Sequence, residues 1–337
     1  MAYSNRGLVR YELRDYEGAI ADFNKAIELN PEFALVYSKR GLVKYELEDY
    51  EGAMIDFKEA IKLDKKNDKE NADTYNNMGI VKGKIENYDG AISDFNEAIK
   101  INEKNDNENA GAYNNIGIVQ HALGNYIEAI KNFDIAIGIN GELVVPYNNS
   151  GFTNYVLGKF LKAIADFSKT IELDPMNIYA YNNRGVVKDI LEDYKGAISD
   201  FSRVIELNQK DAGAYNNRGL SKGKSGDYKG AITDHNKAIE LKPKDANAYC
   251  SRGITNHESG NRKGAIIDFT RAIKLDPKFS LAYFNRGFAK EDTKNYREAI
   301  KDYDKAIELE PSNEIYKKVR QEVQKKLDSL DDSQSST

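Results

Sequence analysis

A glycine recurs along almost the whole chain at intervals of 34 or 38 residues, and this period constrains the fold more than any other feature. The nine marker glycines are Gly7, Gly41, Gly79, Gly117, Gly151, Gly185, Gly219, Gly253 and Gly287. A tyrosine stands four residues before each marker, and an alanine stands twelve residues after it. An aromatic residue stands sixteen residues after every marker except Gly219, where the residue is His235. A chain with such a period grows by adding units rather than by enlarging one core.

Each unit has the pattern of two helices. The tyrosine and the marker glycine are four residues apart, so they lie on one face of a first helix. The alanine, the aromatic residue and a second small residue follow at i, i+4 and i+7, which is the apolar stripe of a second helix. In five units a proline stands 24 residues after the marker, and it predicts the end of that helix. These prolines are Pro31, Pro175, Pro243, Pro277 and Pro311.

The pattern resembles the tetratricopeptide repeat family, whose 34-residue unit is a helix–turn–helix with large, small and proline signatures at these places. The resemblance covers residues 1–313 and implies an all-α fold, a right-handed α-solenoid superhelix of nine helix pairs. Apolar residues spaced along 314–330 predict a C-terminal capping helix. The Ser/Asp-rich segment 331–337 is expected to be disordered. Segments 64–73 and 102–110 each contain four extra residues, which predicts a longer second helix or a wider loop.

Composition excludes several classes of protein. The 337 residues include 49 basic and 54 acidic ones, for a net charge of −5, without the basic excess of a nucleic-acid-binding protein. No apolar run approaches the roughly 20 residues of a membrane span, and the first residues do not resemble a signal peptide. The single cysteine, Cys250, cannot form an internal disulfide. We therefore expect a cytoplasmic protein that binds neither nucleic acid nor membrane.

A row of asparagines is the main candidate binding feature. With the marker glycine numbered as position 8 of its repeat, position 6 is asparagine in seven repeats, although asparagine costs a helix interior roughly 0.6 kcal/mol relative to alanine. Its amide offers donors and acceptors that match a peptide unit. The row resembles the asparagine ladder in the repeat domain of O-linked N-acetylglucosamine transferases, which implies a peptide-binding concave groove. The alternative is that duplication copied the residue. The seven are Asn5, Asn77, Asn115, Asn149, Asn183, Asn217 and Asn285.

Positions 2, 9 and 13 cluster on the same side of the first helix as position 6. Position 9 is apolar in every repeat, which predicts either an apolar groove floor or ordinary packing between repeats. Positions 2, 12 and 13 vary, as selectivity positions would, although surface drift produces the same variation. We include four tyrosines from positions 12 and 2 among the candidate peptide-binding residues. They are Tyr11, Tyr45 and Tyr155 at position 12 and Tyr179 at position 2.

Position 7 is arginine in six repeats, and each of these repeats has an aspartate fifteen residues after its marker. This coincidence predicts ion pairs between the two helices of a repeat. The expected pairs are Arg6–Asp22, Arg40–Asp56, Arg184–Asp200, Arg218–Asp234, Arg252–Asp268 and Arg286–Asp302.

No residue constellation indicates catalysis. The segment 219–225 resembles a phosphate-binding loop but is one residue short and lies within a first helix. The histidines are dispersed among repeats, so we expect no metal site, and we expect no cofactor. The lysine and asparagine pattern of carboxylate-clamp co-chaperones is absent. We predict a non-catalytic protein–protein interaction scaffold that binds an extended polypeptide. The alternative is a structural solenoid that self-associates end to end, suggested by the uncapped first helix.

Overall fold

The computed structural model describes residues 1–64, 69–102 and 109–335, and these residues form only α-helices and the turns between them. The all-α prediction is confirmed. The chain divides into two compact units, Met1–Pro175 and Met176–Thr337. None of the described helices is both long and apolar enough to cross a membrane.

The first unit contains ten helices among its described residues, as five consecutive pairs. Within it, the two helices of each pair pack together, and each second helix packs on the first helix of the next pair. The helices are α1 (Ala2–Glu12), α2 (Tyr16–Leu29), α3 (Ala34–Glu46), α4 (Tyr50–Leu63), α5 (Lys69–Lys84), α6 (Tyr88–Ile101), α7 (Ala110–Ala122), α8 (Tyr126–Ile139), α9 (Val144–Val156) and α10 (Phe160–Leu173).

The second unit repeats this arrangement in four pairs followed by a longer helix, α19, which packs on α18. Its helices are α11 (Ile178–Ile190), α12 (Tyr194–Leu207), α13 (Ala212–Lys224), α14 (Tyr228–Leu241), α15 (Ala246–Glu258), α16 (Arg262–Leu275), α17 (Ser280–Asp292), α18 (Tyr296–Leu309) and α19 (Glu314–Ser335). As predicted, the second helices that precede a proline end two residues before it, as α18 does at Leu309.

Most second helices begin at an aspartate or asparagine whose side chain caps the helix. Asp15, for example, accepts a hydrogen bond of 3.0 Å from the backbone N–H of Gly18. Asp49, Asn87, Asp193, Asp227 and Asn261 repeat this contact. Capping satisfies a backbone donor that the first helical turn leaves unpaired. The turn between paired helices is therefore specified locally by the Asx-x-x-Gly spacing.

The marker glycine faces the aromatic ring sixteen residues later. A Cβ built on Gly117 would lie 2.5 Å from Cε1 of Phe133. A Cβ built on each of the other marker glycines would lie 2.6–2.9 Å from the nearest atom of the corresponding ring. These aromatic residues, and His235 in their place, are at most 1% exposed, and the alanine between them is fully buried in every repeat. Glycine is needed here because the ring occupies the space of a side chain.

The six predicted arginine–aspartate pairs form in the structure. In repeat 2, Arg40 donates from Nε and Nη2 to the two carboxylate oxygens of Asp56, at 2.8 and 2.6 Å. The other five pairs have the same two-pronged geometry. Arg40 also donates from Nη1 to Asn24 of the preceding second helix, at 2.6 Å. The arginine therefore links two helices of one repeat to the repeat before it.

In several repeats a second positively charged side chain binds the same aspartate. Lys44 stands four residues after Arg40 and lies 2.8 Å from Oδ2 of Asp56, the oxygen that also accepts from Arg40 Nε. Lys188, Lys222 and Lys290 do the same in the second unit, and Arg10 does so in repeat 1. This lysine is not part of the predicted pairs, although its recurrence three residues after the marker is visible in the sequence. The nearly buried aspartate thus faces two positive charges.

Repeats 3 to 5 replace the arginine with Met78, Ile116 and Ser150. In repeat 5, Asp166 instead accepts hydrogen bonds from Ser150 Oγ at 2.8 Å and Asn154 Nδ2 at 2.9 Å. Burial raises the pKa of this carboxyl because these neighbours carry no positive charge to stabilise its ionised form. In repeat 5 the ionic link between helices therefore gives way to neutral hydrogen bonds.

The extra segments and the C-terminus differ in part from expectation. The second helices before the insertions, α4 and α6, have 14 residues like the others, so the prediction of a longer second helix is wrong. The side-chain amides of Asn71 and Asn109 donate to carbonyls near the ends of these helices, Asp64 O and Ile99 O. Much of each insertion lies outside the described residues.

Helix α19 extends to Ser335, beyond the predicted boundary at residue 330. Neither glycine nor proline lies in 331–335 to end the helix earlier. Residues 336–337 lie outside the described part. On the preceding side, Arg320 Nε donates to Asp304 at 2.9 Å, at the same 16-residue separation as Arg40 and Asn24. Helix α19 therefore contacts α18 as a first helix of a further repeat would.

Substituting a marker glycine tests the ring contact. Gly117→Ala would place a methyl group against Phe133, so we expect a loss of about 2 kcal/mol in the free energy of unfolding. Gly138→Ala on α8 is the matched control, because nothing lies within 4 Å of its Cβ position. This control is expected to gain about 0.5–1 kcal/mol from helix propensity. Urea unfolding measures the free energy of unfolding of both variants. Equal changes in this free energy would contradict the proposed contact between the marker glycine and the ring.

Removing one aspartate tests the ionic cluster. Asp302 is 6% exposed and binds Arg286 and Lys290, each at 2.7 Å. Asp302→Ala would leave two partly buried cations unpaired, so we expect a loss of about 3 kcal/mol. Glu308→Ala, which breaks only the exposed pair with Lys305, is expected to change stability by under ~0.5 kcal/mol. Denaturant titration should separate the two variants, and a small effect of Asp302→Ala would show that the cluster contributes little.

The buried His235 should make the second unit sensitive to acid. Its ring hydrogen-bonds to Asn216 Oδ1 at 3.0 Å and Thr255 Oγ1 at 3.2 Å, and burial lowers its pKa to about 4. The charged neighbours Asp234 and Arg252 act in opposite directions. A lowered histidine pKa means that the unfolded chain takes up the proton first. This contribution to stability is therefore present above pH 6.5 and is lost as the pH falls towards 4.

We expect His235→Phe, which restores the residue type of most other repeats, to remove this loss. Between pH 7.5 and 5 the original chain should lose on the order of 2 kcal/mol more than the variant. Chemical denaturation at the two pH values measures the difference. Because the other titrating groups are shared, equal pH dependence in both proteins would show that His235 does not titrate as described.

Candidate functional site

The position-6 asparagines lie on the first helices, and the structure places them in two separate groups. In the first unit Asn77, Asn115 and Asn149 are half-buried on α5, α7 and α9, whereas Asn5 on α1 is exposed. In the second unit Asn183, Asn217 and Asn285 are half-buried on α11, α13 and α17. Each half-buried side chain among them keeps part of its surface open to solvent.

Three of these amides bind the preceding repeat. Asn115 Nδ2 donates to Asn76 Oδ1 at 3.1 Å, and Asn149 Nδ2 donates to Asn114 Oδ1 at 3.0 Å. In the second unit Asn217 repeats the contact with Asn182 at 3.5 Å. Position 6 of one repeat therefore donates to position 5 of the repeat before it. Binding and copying, the two explanations that the sequence offers for position 6, do not include this structural role, although the paired asparagines at positions 5 and 6 are visible in the sequence.

The apolar position 9 is partly open to solvent. Ile118, Phe152 and Phe288 are 43–44% exposed, and the other six side chains are half-buried. Such side chains serve both predicted roles, since one part packs between repeats and the other lines the outer surface. Together with the amides, they give the first-helix face a mixed lining of apolar and hydrogen-bonding groups, which is typical of binding sites.

The position-12 tyrosines pack within the protein. The rings of Tyr11 and Tyr45 lie 6.1 and 6.0 Å from the rings of Tyr16 and Tyr50, the first residues of the following helices. Burial raises the pKa of Tyr11 and Tyr45. Tyr155 repeats the contact with Phe160 at 6.3 Å. These rings therefore form part of the repeat packing, with their outer parts on the first-helix face.

The position-2 Tyr179 has a different environment from the other candidate tyrosines. It is 76% exposed in the second unit. Of the four, its side chain is the one most accessible to a ligand.

In the second unit, positions 12 and 13 pair across successive repeats. Asp189 at position 12 binds Lys224 at position 13 of the next repeat, and His257 binds Asp292 in the same way at 2.9 Å. Glu291 continues the series with Lys326 of α19 at 2.8 Å. The varied charges at these positions are therefore partly explained by pairing between repeats. They need not be read as selectivity determinants.

A pocket of about 360 Å³ opens between α5 and α7 of the first unit. Apolar side chains supply most of its lining, and Asn115 and Lys84 add polar groups. Its other lining residues are Gly79, Ile80, Gly83, Tyr88, Phe95, Ile118, Val119 and Ala122. The pocket therefore combines one predicted ladder residue with two position-9 side chains.

Two side chains of types that often act in catalysis, Cys250 and His121, are packed within the fold. Cys250 is 2% exposed, and burial raises the pKa of its thiol to about 12, which disfavours the reactive thiolate. His121 hydrogen-bonds to Thr153 at 2.9 Å, and burial lowers its pKa. Among the described residues, no group of three or more His, Cys, Asp or Glu side chains could hold a metal ion.

Models of a single repeat family match most of the chain. A model described as "TPR repeat" matches residues 7–48 and 224–260. Two models described as "Tetratricopeptide repeat" match residues 72–105 and 280–313, and residues 34–67, 110–142, 178–211 and 246–279. None of the matched models describes a catalytic family. No curated protein matches the chain.

Three solved structures are similar to parts of this chain, and the two with TM-scores above 0.5 share its fold. A tetratricopeptide repeat protein from Parabacteroides merdae is 20% identical, with a TM-score of 0.61 over 75% of this chain and 98% of that one. The APC/C hetero-tetramer Cut9–Hcn1 is 19% identical, with a TM-score of 0.55 over 81% of this chain and 52% of that one. YrrB, described as a TPR protein with an unusual peptide-binding site, is 25% identical, with a TM-score of 0.43, over 56% of this chain and 97% of that one.

Proposed function

We propose that this chain, which belongs to the tetratricopeptide repeat family, is a non-catalytic scaffold that holds an extended polypeptide along its first helices. Proteins built from these repeats generally act as protein-interaction scaffolds. The observation that carries the proposal is the recurrence of a half-buried amide beside a partly exposed apolar side chain. Asn115 with Ile118 and Asn149 with Phe152 are examples.

The chemistry of the amide suits a peptide backbone. An asparagine side chain has two N–H donors and an oxygen with two lone pairs. Asn115, Asn149 and Asn217 each use one donor on the neighbouring repeat, which orients the amide and leaves a second donor for a ligand. Amides that recur once per repeat would contact successive parts of an extended chain without reading its sequence. This is how the row would work as an asparagine ladder of the O-linked N-acetylglucosamine transferase type.

Apolar contacts would supply the remaining affinity. The position-9 side chains lie one helical turn from the amides, on the same side of the first helix. Burial of apolar surface contributes about 25 cal/mol per Å², so each partly exposed side chain adds to binding when a ligand covers it. Tyr179, at 76% exposure, would offer a further surface in the second unit.

Removing three ladder amides tests the proposal against their structural role. The test variant carries Asn115→Ala, Asn149→Ala and Asn217→Ala. We expect it to retain a randomised decapeptide library at least roughly tenfold less strongly, since each lost hydrogen bond contributes about 0.5–1.5 kcal/mol. Retention on the immobilised protein, measured by quantitative mass spectrometry, gives the comparison.

The matched control breaks the same three inter-repeat hydrogen bonds from the other side. It carries Asn76→Ala, Asn114→Ala and Asn182→Ala and keeps all position-6 amides. We expect this control to retain the library nearly as well as the original chain. Equal retention by both variants would contradict the ladder, and equal loss in both would assign the effect to repeat packing.

A further inference from the structure

The pocket between α5 and α7 lies at the position where other repeats of the first unit carry an aromatic side chain of their own. In repeats 1, 2, 4 and 5 of the first unit, position 12 carries an aromatic ring that packs on the first residue of the following helix. The four contacts are Tyr11–Tyr16 at 6.1 Å, Tyr45–Tyr50 at 6.0 Å, His121–Tyr126 at 5.1 Å and Tyr155–Phe160 at 6.3 Å between ring centroids.

Repeat 3 has Gly83 at this position, and Tyr88 begins the following helix. The space beside Gly83 is open, since the nearest atom to its Cβ position is a methyl carbon of Val119 at 3.8 Å. Gly83, Tyr88 and Val119 all line the pocket. The pocket therefore lies where a position-12 ring would stand, against the same residue that such a ring contacts elsewhere.

A glycine at position 12 does not by itself leave such a space. Gly223 occupies the same position in the second unit, but its Cβ position is 3.4 Å from Thr255 Oγ1, with Ala231 and Glu258 within 4 Å. Neighbouring side chains therefore occupy the space beside Gly223. In repeat 3 the neighbouring side chains do not fill the space beside Gly83. A pocket of about 360 Å³ remains there, near the lower end of the volume range for ligand pockets.

We propose that this pocket receives an aromatic side chain of the bound polypeptide, which completes the series of ring contacts in the first unit. The proposal rests on the proposed function, because Asn115 lines the pocket and a chain held by that amide would pass its mouth. Ile80, Ile118 and Ala122 offer apolar walls, and Tyr88 offers a ring for offset or edge-to-face stacking. Repeat 3 would thus anchor one residue, while the ladder contacts the backbone without selecting sequence.

Fluorescein-labelled nonapeptides of alternating alanine and serine, with phenylalanine, leucine or alanine at the centre, are the probes. We expect the full chain to bind the phenylalanine peptide at least roughly tenfold more tightly than the alanine peptide in anisotropy titrations. Leucine should give an intermediate gain. The methyl NMR signals of Ile80 and Ile118 should shift with the phenylalanine peptide.

Gly83→Tyr closes the pocket with the residue that repeats 1, 2 and 5 already use. We expect this variant to lose the preference for phenylalanine while binding the alanine peptide as before. Gly138→Tyr is the matched control, since it adds the same ring at an exposed site on α8 with nothing within 4 Å of the Cβ position. It should keep the preference, and thermal unfolding confirms that both variants are folded.

The outcomes separate this inference from the function on which it rests. Equal binding of the phenylalanine and alanine peptides by the original chain would overturn the aromatic pocket and leave the ladder standing. A preference that survives Gly83→Tyr would place the ring elsewhere and overturn the assignment to this pocket. If the triple ladder variant binds both peptides as tightly as the original chain, while Gly83→Tyr loses the preference for phenylalanine, the result would support the pocket and contradict the backbone ladder.

Discussion

The contact between the marker glycine and the aromatic ring sixteen residues later is the constraint on which the repeats depend. At Gly117 a Cβ would lie 2.5 Å from Phe133, so the two helices approach until ring meets backbone. This approach fixes which side of the first helix is buried within its own repeat. Positions 6, 9 and 13 lie on other sides of the first helix, and they are left for neighbouring repeats or a ligand.

Polar groups then connect one repeat to the next. Arg40 spans three helices, since it binds Asp56 in its own repeat and Asn24 in the preceding one. In the middle of the first unit this arginine is replaced, and amide pairs such as Asn115 with Asn76 provide a neutral connection. The change has an electrostatic consequence, because repeats 3 to 5 lack the arginine that binds the aspartate in repeats 1 and 2.

Structural use of a side chain does not exclude a functional one at this face. The amide that binds the neighbouring repeat is oriented by that bond, which lowers the entropy cost of ordering it around a ligand. By contrast, the ion pair of Asp189 with Lys224 commits both charges to the repeat stack. The proposed binding surface is accordingly made of amides, apolar side chains and the space beside Gly83, while many of the charges serve the scaffold.

The helix pairs, their period, the aromatic core and the arginine–aspartate pairs could all be predicted from the sequence, because they follow from spacing within a single repeat. Contacts between repeats were decided only by tertiary structure. The bond from Asn149 to Asn114 and the pairing of Asp189 with Lys224 join residues of adjacent repeats, and no local pattern specifies their geometry. The same reason explains the two position-12 glycines. Gly83 and Gly223 are equivalent in sequence, yet the packing of neighbouring side chains leaves space beside one and fills it beside the other.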